Sequence, residues 1–155
     1  MKFIADEMLG KLARWLRMIG VDVLYKNQID DESLIHLARE ESRIILTRDT
    51  RLIKNLDPSE FLFIHHDYLE DQFSECLEKF PLIKKERQPL SRCVECNTPL
   101  KEIDKESVKG RVWPFVYQTQ ENFTQCEKCQ KIYWRATHVN KILDRIQRLL
   151  TQAPS

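Results

Sequence analysis

The sequence lacks the features that mark membrane proteins and low-complexity proteins. No apolar run approaches the roughly 20 residues that a membrane-spanning helix needs, so no membrane segment is expected. There is no internal repeat and no compositionally biased tract. Acidic residues occupy positions 6 and 7, where the apolar part of a secretion signal would begin. We therefore expect a cytoplasmic protein.

Neither positive nor negative charge is in excess. The net charge is only +1, which predicts no particular partner. Hydrophobic residues make up 42% of the 155 residues, which is enough for a buried core and argues against global disorder. The charges are unevenly distributed, however. Residues 1–90 carry 14 Lys or Arg against 17 Asp or Glu, whereas residues 91–155 carry 11 against 7. The second part is the better candidate surface for a polyanion.

Four of the five cysteines form two C-x2-C pairs, separated by 29 residues: Cys93 with Cys96, and Cys126 with Cys129. Four thiolates fill a tetrahedral zinc site and leave no position for a substrate, so a structural zinc ribbon is predicted. Disulfides or a redox motif are the alternatives, but nothing else points to secretion and the paired spacing favours metal. The remaining cysteine, Cys76, lies in an apolar helical pattern and is expected in the core.

Strand and helix patterns alternate before the cysteines. Short apolar runs predict strands over residues 2–5, 22–26, 43–47 and 61–64. Apolar residues at helical spacing predict helices that begin near Leu9, Asp30 and Leu69. Such alternation is typical of an α/β fold with a mainly parallel sheet and flanking helices.

The rest of the chain is predicted to hold a linker, the zinc module and a helix. Residues 82–92 contain proline and basic residues without apolar periodicity. Aromatic and β-branched residues predict strands over 112–117 and 132–134, and an amphipathic helix is expected from Val139. We therefore expect an α/β domain over 1–81, a linker over 82–92, and a zinc ribbon with a C-terminal helix over 93–155.

Acidic residues follow the predicted strands. Asp6 and Asp49 each end a buried strand, and ligands of parallel sheets bind at that edge. Asp30 or Asp31 begins the helix after the second strand, on the same edge. Carboxylates gathered there would suit Mg²⁺ or Mn²⁺ as a catalytic ion. The alternatives are a helix N-cap for Asp30 or Asp31 and a turn-forming role for a single aspartate.

Basic residues flank these acids. Lys11, Arg14 and Arg17 lie off the apolar face of the first helix, while Arg48 and Arg51 bracket Asp49. They could contact a phosphate backbone, although a solvated surface is the commoner role for such residues. His65 and His66, at the end of the fourth strand, could touch a metal, but a surface role is expected.

Several of these residues together resemble a known family. Residues 6–17 read DEMLGKLARWLR, and they are followed by DDE at 30–32, LTRD at 46–49 and the cysteine pairs. The pattern resembles the Mut-seven C-terminal ribonuclease domain, a PIN-like nuclease family, over nearly the whole chain. The resemblance implies a PIN-like α/β domain with a zinc ribbon, metal-dependent RNA cleavage, and RNA as partner, with the ribosome or a tRNA as further candidates. By position, Asp6, Asp30 or Asp31, and Asp49 look like the PIN acids.

The sequence departs from the family pattern at two places. Thr50 and Arg51 stand where some PIN nucleases have a further acid. Gln130 stands where the turn formed by such a C-x2-C pair, a zinc knuckle, usually has glycine, so a less favourable backbone conformation is expected there. A non-catalytic RNA-binding adaptor is therefore the second hypothesis. A phosphoacceptor domain ranks third, since no fifth strand is visible before the linker. In the ribbon, the candidate RNA-handling residues are Lys109, Arg111, Trp113, Lys131 and Trp134.

Overall fold

A computed structural model describes residues 1–152 of the chain. The N-terminal part contains four strands that are parallel throughout, in the order β2-β1-β3-β4. Their bounds are β1 (Lys2–Ala5), β2 (Asp22–Tyr25), β3 (Ile44–Thr47) and β4 (Phe61–Phe63). The predicted α/β fold with a parallel sheet is confirmed. The first and third strands are neighbours, so their carboxyl ends share one edge of the sheet.

Helices cover both faces of this sheet. They are α1 (Gly10–Met18), α2 (Asp31–Glu40) and α3 (Leu69–Lys79). Phe3 and Ala5 of β1 pack with the apolar faces of α1 and α3, whereas Ile4 packs with Leu34 and Ala38 of α2. This alternation follows from the two-residue period of a strand. The sheet is thereby buried on both sides, as its continuous apolar strands require.

The segment expected to be an irregular linker contains a short helix, α4 (Leu82–Glu86). Its Ile83 is 4% exposed and belongs to the main core, which the sequence did not indicate. The backbone amide of Gln88 then donates to Ile19 O at 2.9 Å. This close approach requires Gly20, because its φ is +92° and a Cβ there would lie 2.6 Å from Gln88 O.

The zinc module contains a second, antiparallel sheet, in the order β5-β6-β7. Its strands are β5 (Leu100–Ile103), β6 (Phe123–Cys126) and β7 (Ile132–Tyr133). The strand predicted over 132–134 is confirmed, but the one predicted over 112–117 is wrong. That segment enters a helix, α5 (Pro114–Thr119), with proline at its first position. Proline is suited to that position because its φ is already helical and it needs no N–H partner.

The chain's last described element is the predicted amphipathic helix, α6 (Thr137–Gln152). Ile146 and Leu150 on this helix pack in the main core with residues of α1 and α3. The sequence-based division at 81 and 92 stays a prediction, but α6 contributes to the same core as the parallel sheet. No helix among residues 1–152 has the length and apolar character needed to cross a bilayer.

Candidate functional site

Asp6 lies at the end of β1 and is 7% exposed. Its Oδ1 accepts a hydrogen bond from the backbone amide of Met8 at 3.0 Å. Its Oδ2 accepts one from the Thr47 hydroxyl and another from the amide of Arg48, the latter at 3.1 Å. Three donors on one nearly buried carboxylate hold it in a single orientation at the rim of the sheet.

Asp49 follows β3 and is connected to Asp6 through Thr47. The amide of Asp49 donates to Thr47 Oγ1 at 2.9 Å, and the Thr47 hydroxyl in turn donates to Asp6. The amide of Arg51 donates to Asp49 Oδ1 at 2.8 Å, and this bond is the main reason why the pKa of Asp49 lies below its ordinary value. Asp49 is therefore ionised at neutral pH.

These two carboxylates retain acceptor capacity. A carboxylate offers about four lone-pair sites, of which Asp6 uses three on protein donors. The Asp49 carboxylate is only about three-quarters buried, with its side chain 26% exposed. Carboxylate oxygens are hard donors of the kind that Mg²⁺ and Mn²⁺ prefer. The chemistry of the donors therefore fits a divalent cation held by Asp6 and Asp49.

Asp30 and Asp31 lie at the start of α2 and differ in role. Asp30 caps the helix, because its Oδ1 accepts from the Ser33 amide at 2.9 Å and its Oδ2 from the Ser33 hydroxyl at 2.7 Å. These bonds, led by that to the Ser33 side chain, lower the pKa of Asp30. Asp31 is exposed in the first turn. Across residues 1–152, no three carboxylate or histidine ligand atoms all lie within 4.8 Å of one another.

The basic residues of α1 separate into two kinds. Lys11 and Arg14 are exposed, and Arg14 forms an ion pair with Glu95 at 2.9 Å. Arg17, expected on the same RNA-facing surface, is 3% exposed. Its Nε donates to Val23 O at 2.8 Å, and its Nη1 donates to Val94 O at 2.9 Å. The expectation of an RNA-contacting Arg17 is corrected, since its guanidinium joins the sheet to the first cysteine knuckle.

Arg48 and Arg51 also differ from each other. Arg48 forms an ion pair with Asp67, linking the loops that follow β3 and β4, and its Nη1 is buried without a hydrogen-bond partner. The Arg51 side chain is 84% exposed and lies 3.5 Å from Asp49 Oδ1. Arg51 is therefore the more accessible of the two for a phosphate.

Glu75 on α3 is a residue of this rim that the sequence analysis missed. It accepts from the His65 amide at 3.0 Å and from His65 Nδ1 at 2.6 Å, and it lies 3.7 Å from His66 Nδ1. Its side chain is 16% exposed. A carboxylate that engages one imidazole nitrogen fixes the ring and leaves the other nitrogen for exchange with solvent or ligand. Only the tertiary fold brings α3 to this rim, so no local signal identified it.

The four sulfur atoms of Cys93, Cys96, Cys126 and Cys129 all lie within 4.8 Å of one another. Cys96 and Cys126 are 3.2 Å apart and Cys93 and Cys129 are 3.7 Å apart. Four sulfurs about 2.3 Å from one tetrahedral zinc would be separated by about 3.8 Å. The cluster is therefore suited to one zinc ion, as the spacing predicted.

Two matching backbone turns hold the cysteines. The amide of Asn97 donates to Cys93 O at 2.9 Å, and the amide of Gln130 donates to Cys126 O at 2.8 Å. Both turn residues are left-handed, with φ of 67° at Asn97 and 65° at Gln130. The less favourable backbone conformation expected at Gln130 is confirmed. Its side chain offsets part of the strain by donating to Glu127 O at 2.6 Å.

The first knuckle also contacts the parallel sheet. Asn97 Oδ1 accepts from the Val23 amide at 3.0 Å, while Arg17 donates to the carbonyl of the same residue. Val23 lies on β2, which is an edge strand. Asn97 Nδ2 donates to Asp22 Oδ1 at 2.7 Å, and Asp22 in turn forms an ion pair with Arg43 at 2.6 Å. The knuckle thus covers an edge that would otherwise leave unpaired backbone groups.

Neither a curated protein nor a solved structure matches this chain. One family model does match the chain, and the matched residues include both the strand-end aspartates and the cysteine knuckles. The model of the Mut7-C RNAse domain matches residues 1–146 of the 155-residue chain, and the protein therefore belongs to that family.

Proposed function

We propose that this protein is a metal-dependent ribonuclease that hydrolyses RNA phosphodiester bonds, with Mg²⁺ or Mn²⁺ held by Asp6 and Asp49 and with the zinc ribbon assisting RNA binding. The observation that carries the proposal is the bond from Thr47 to Asp6 together with the bond from Asp49 N to Thr47. The Thr47 side chain thereby links the carboxylate of Asp6 to the backbone of Asp49, at the ends of two adjacent parallel strands. Membership of an RNAse domain family supports the choice of substrate.

The bound cation would supply a hydroxide-generating and charge-stabilising centre for phosphodiester hydrolysis. Asp6 contributes a fixed carboxylate, because three hydrogen bonds prevent it from rotating away. Asp49 contributes a more exposed carboxylate that is ionised over the working pH range. Asp31, rather than the helix-capping Asp30, is the better candidate for a third acid, since the oxygens of Asp30 already serve Ser33.

The exposed basic residues near the rim supply phosphate contacts in this proposal. Lys11, Arg14 and Arg51 have accessible cationic side chains. Arg48 instead orients the loop after β3 through its ion pair with Asp67. Each phosphate neutralised by such residues should add to the salt dependence of RNA binding.

A non-catalytic RNA-binding adaptor is the second candidate, and one observation favours it. Arg51 lies 3.5 Å from Asp49, and so places a positive charge where a further acid would strengthen a metal site. A catalytic site with only two carboxylates binds a cation less tightly than a fuller cluster. An adaptor of this kind would bind RNA, such as ribosomal RNA or a tRNA, without cleaving it.

The test compares RNA cleavage by the wild type, Asp6→Asn and Asp49→Asn, with and without Mn²⁺. Asp57→Asn is the matched control, because Asp57 is an exposed aspartate on the loop that leads into β4. We expect Mn²⁺-dependent cleavage that falls by about 100-fold or more in the two site variants and not in the control. RNA binding without cleavage by the wild type would favour the adaptor, and unchanged cleavage in Asp49→Asn would refute the proposed site.

A further inference from the structure

The zinc ribbon contains an open cleft that none of the strand-end acids lines. Its volume is about 600 Å³, which falls in the range of small-ligand pockets. The side chains that line it are Arg111, Val112, Trp113, Gln130, Ile132 and Trp134. Gly110 completes the lining, and a Cβ built on it would meet no atom within 4 Å. The cleft is therefore open at that end.

Two aromatic side chains contribute to the cleft in different ways. Trp113 precedes α5 and is 78% exposed, and its indole has no hydrogen bond or ring contact among the described residues. Trp134 is half-buried, and its ring centroid lies 6.4 Å from that of Phe123 in the core of the ribbon. The indole of Trp134 is therefore held by packing in the ribbon, whereas that of Trp113 is exposed to solvent. A large exposed aromatic beside a cleft points to a partner that covers it.

The charges around the cleft favour a polyanion over a protein. Arg111 is the only charged side chain that lines it, and its one described partner is the carbonyl of Ser107 at 3.2 Å. Lys109, two residues earlier, has no ion pair among residues 1–152. Residues 105–135 as a whole carry six Lys or Arg and three Glu. Cationic side chains beside aromatic faces are the composition of single-strand binding grooves.

The acidic residues of this segment are largely engaged elsewhere. Glu121 pairs with Lys105 at 2.9 Å, and Glu127 pairs with Lys101 at 2.7 Å. Glu106 Oε1 accepts a hydrogen bond from the Tyr117 hydroxyl of α5 at 3.4 Å. None of these carboxylates lines the cleft, so none opposes a phosphate next to Arg111.

We propose that this cleft binds an unpaired base of a single-stranded RNA, which stacks against Trp113 and Trp134 while Arg111 and Lys109 contact the adjoining phosphates. The inference rests on the proposed function only in taking RNA as the ligand. Stacking accepts any base, because every base has a π face, so the cleft should tolerate many sequences. A duplex keeps its bases stacked on one another and should not enter.

The test measures the affinity of the full-length, zinc-containing protein for a labelled single-stranded RNA of about 12 nucleotides and for its duplex, by fluorescence anisotropy without added Mg²⁺ or Mn²⁺. The variants are Trp113→Ala, Trp113→Phe and Phe115→Ala. Phe115 is the matched control, since it is 72% exposed on α5 but does not line the cleft. Zinc content and circular dichroism confirm that each variant is folded.

We expect Trp113→Ala to weaken single-strand binding by about tenfold, Trp113→Phe to restore most of it, and Phe115→Ala to change it by less than about twofold. Duplex binding should not depend on Trp113. Equal losses for Trp113→Ala and Phe115→Ala, or a wild type that binds no single-stranded RNA, would overturn the inference. Because these readouts involve no cleavage, a failed nuclease proposal would leave a positive result here intact, and the reverse also holds.

Discussion

At the residue scale, Arg14 and Arg17 are three positions apart on α1 and have opposite environments. The Arg14 side chain is 53% exposed and meets one carboxylate, whereas Arg17 is 3% exposed and donates to three backbone carbonyls. A buried guanidinium with three carbonyl partners is worth far more to stability than a surface ion pair. Arg17 therefore contributes mainly to stability, whereas Arg14 on the same helix is accessible at the surface.

Replacing Arg17 with leucine should destabilise the protein by about 3 kcal/mol, because two buried carbonyls and one partly buried carbonyl lose their donor. The same replacement at Arg14 should cost less than about 1 kcal/mol, as expected for an exposed ion pair. Urea-induced unfolding followed by circular dichroism measures both values. Equal destabilisation by the two variants would contradict the structural role given to Arg17.

Asp22 makes the junction between β2 and the knuckle sensitive to acid. Burial alone would raise the pKa of Asp22, but hydrogen bonds from Arg43 and Asn97 outweigh it, so the folded-state pKa lies below its ordinary value. A carboxyl group with a lowered folded pKa stabilises the fold above its unfolded pKa of about 3.9. That contribution is lost as the pH falls further, through the folded-state pKa.

The Asp22→Asn variant should accordingly be less stable than the wild type by about 2 kcal/mol at about pH 7, and the difference should shrink below about pH 4. Unfolding by urea at a series of pH values measures the difference. Zinc content measured at each pH separates this effect from acid-induced zinc loss, which would also remove the bond from Asn97 to Asp22. A difference that stays constant down to about pH 2 would show that Asp22 does not act through its charge.

The sequence could not distinguish Arg14 from Arg17, and the reason is physical. Both lie off the apolar stripe of α1, and the group that buries Arg17 is a knuckle 77 residues away in the chain. The backbone at Gln130, in contrast, could be anticipated, because the turn formed by a C-x2-C pair involves only residues that are neighbours in sequence. A less favourable backbone could be expected at Gln130, because glycine usually stands there in such a pair, and Gln130 is indeed left-handed, as is Asn97.

At the element scale, the zinc knuckle acts as a cover for the edge strand β2. Its Asn97 accepts from the Val23 amide, and the left-handed backbone of Asn97 depends on the knuckle's turn. Structural zinc sites are commonly disordered without their metal. Loss of zinc should therefore expose the edge of the parallel sheet as well as unfold the ribbon.

Hydrogen exchange measured by NMR tests this coupling. After zinc removal with a chelator, the Val23 amide should exchange at least about tenfold faster, whereas the Ile45 amide, bonded to Glu60 O in the sheet, should keep its protection. Asn97→Gly serves as the matched variant, since glycine accepts the left-handed turn and removes the side chain while zinc is retained. Unchanged Val23 exchange in both experiments would contradict the covering role.

Strands could be assigned from the sequence where their apolar residues are buried, and the assignment failed where apolar residues are exposed. The central strands β1 and β3 are apolar runs buried on both faces, and β2 and β4 beside them are short and half-buried, so all four could be recognised from their pattern. Residues 112–117 are rich in valine and aromatics, yet Pro114 begins a helix and Trp113 and Phe115 are exposed. Their composition reflects a surface and not a pleated core, which is why β-propensity misled the prediction.

At the scale of the whole molecule, the fold brings together residues that are far apart in sequence. Asp6 and Asp49 could be predicted to share an edge because each ends an apolar strand, and the order β2-β1-β3-β4 makes those strands neighbours. Glu75 could not be predicted, since its place beside His65 depends on how α3 packs. The packing of α6 in the main core could not be predicted either, because the sequence indicated only an amphipathic helix that follows the four cysteines.

The central claim is that Asp6 and Asp49 act together on one divalent cation that serves RNA cleavage. Groups that act as a unit show strongly non-additive losses when each is removed. Asp49 is the more informative single position, because it is more exposed than Asp6 and has a less extensive hydrogen-bond network. A set consisting of the wild type, Asp6→Asn, Asp49→Asn and the double variant completes a thermodynamic cycle.

The most direct test is the single-turnover rate of RNA cleavage at saturating Mn²⁺ for these four proteins. If both aspartates hold one cation, the double variant should cleave no more than about threefold more slowly than the slower single variant. Losses that multiply would show that the two residues act independently, and cleavage at the wild-type rate in any variant would contradict the account.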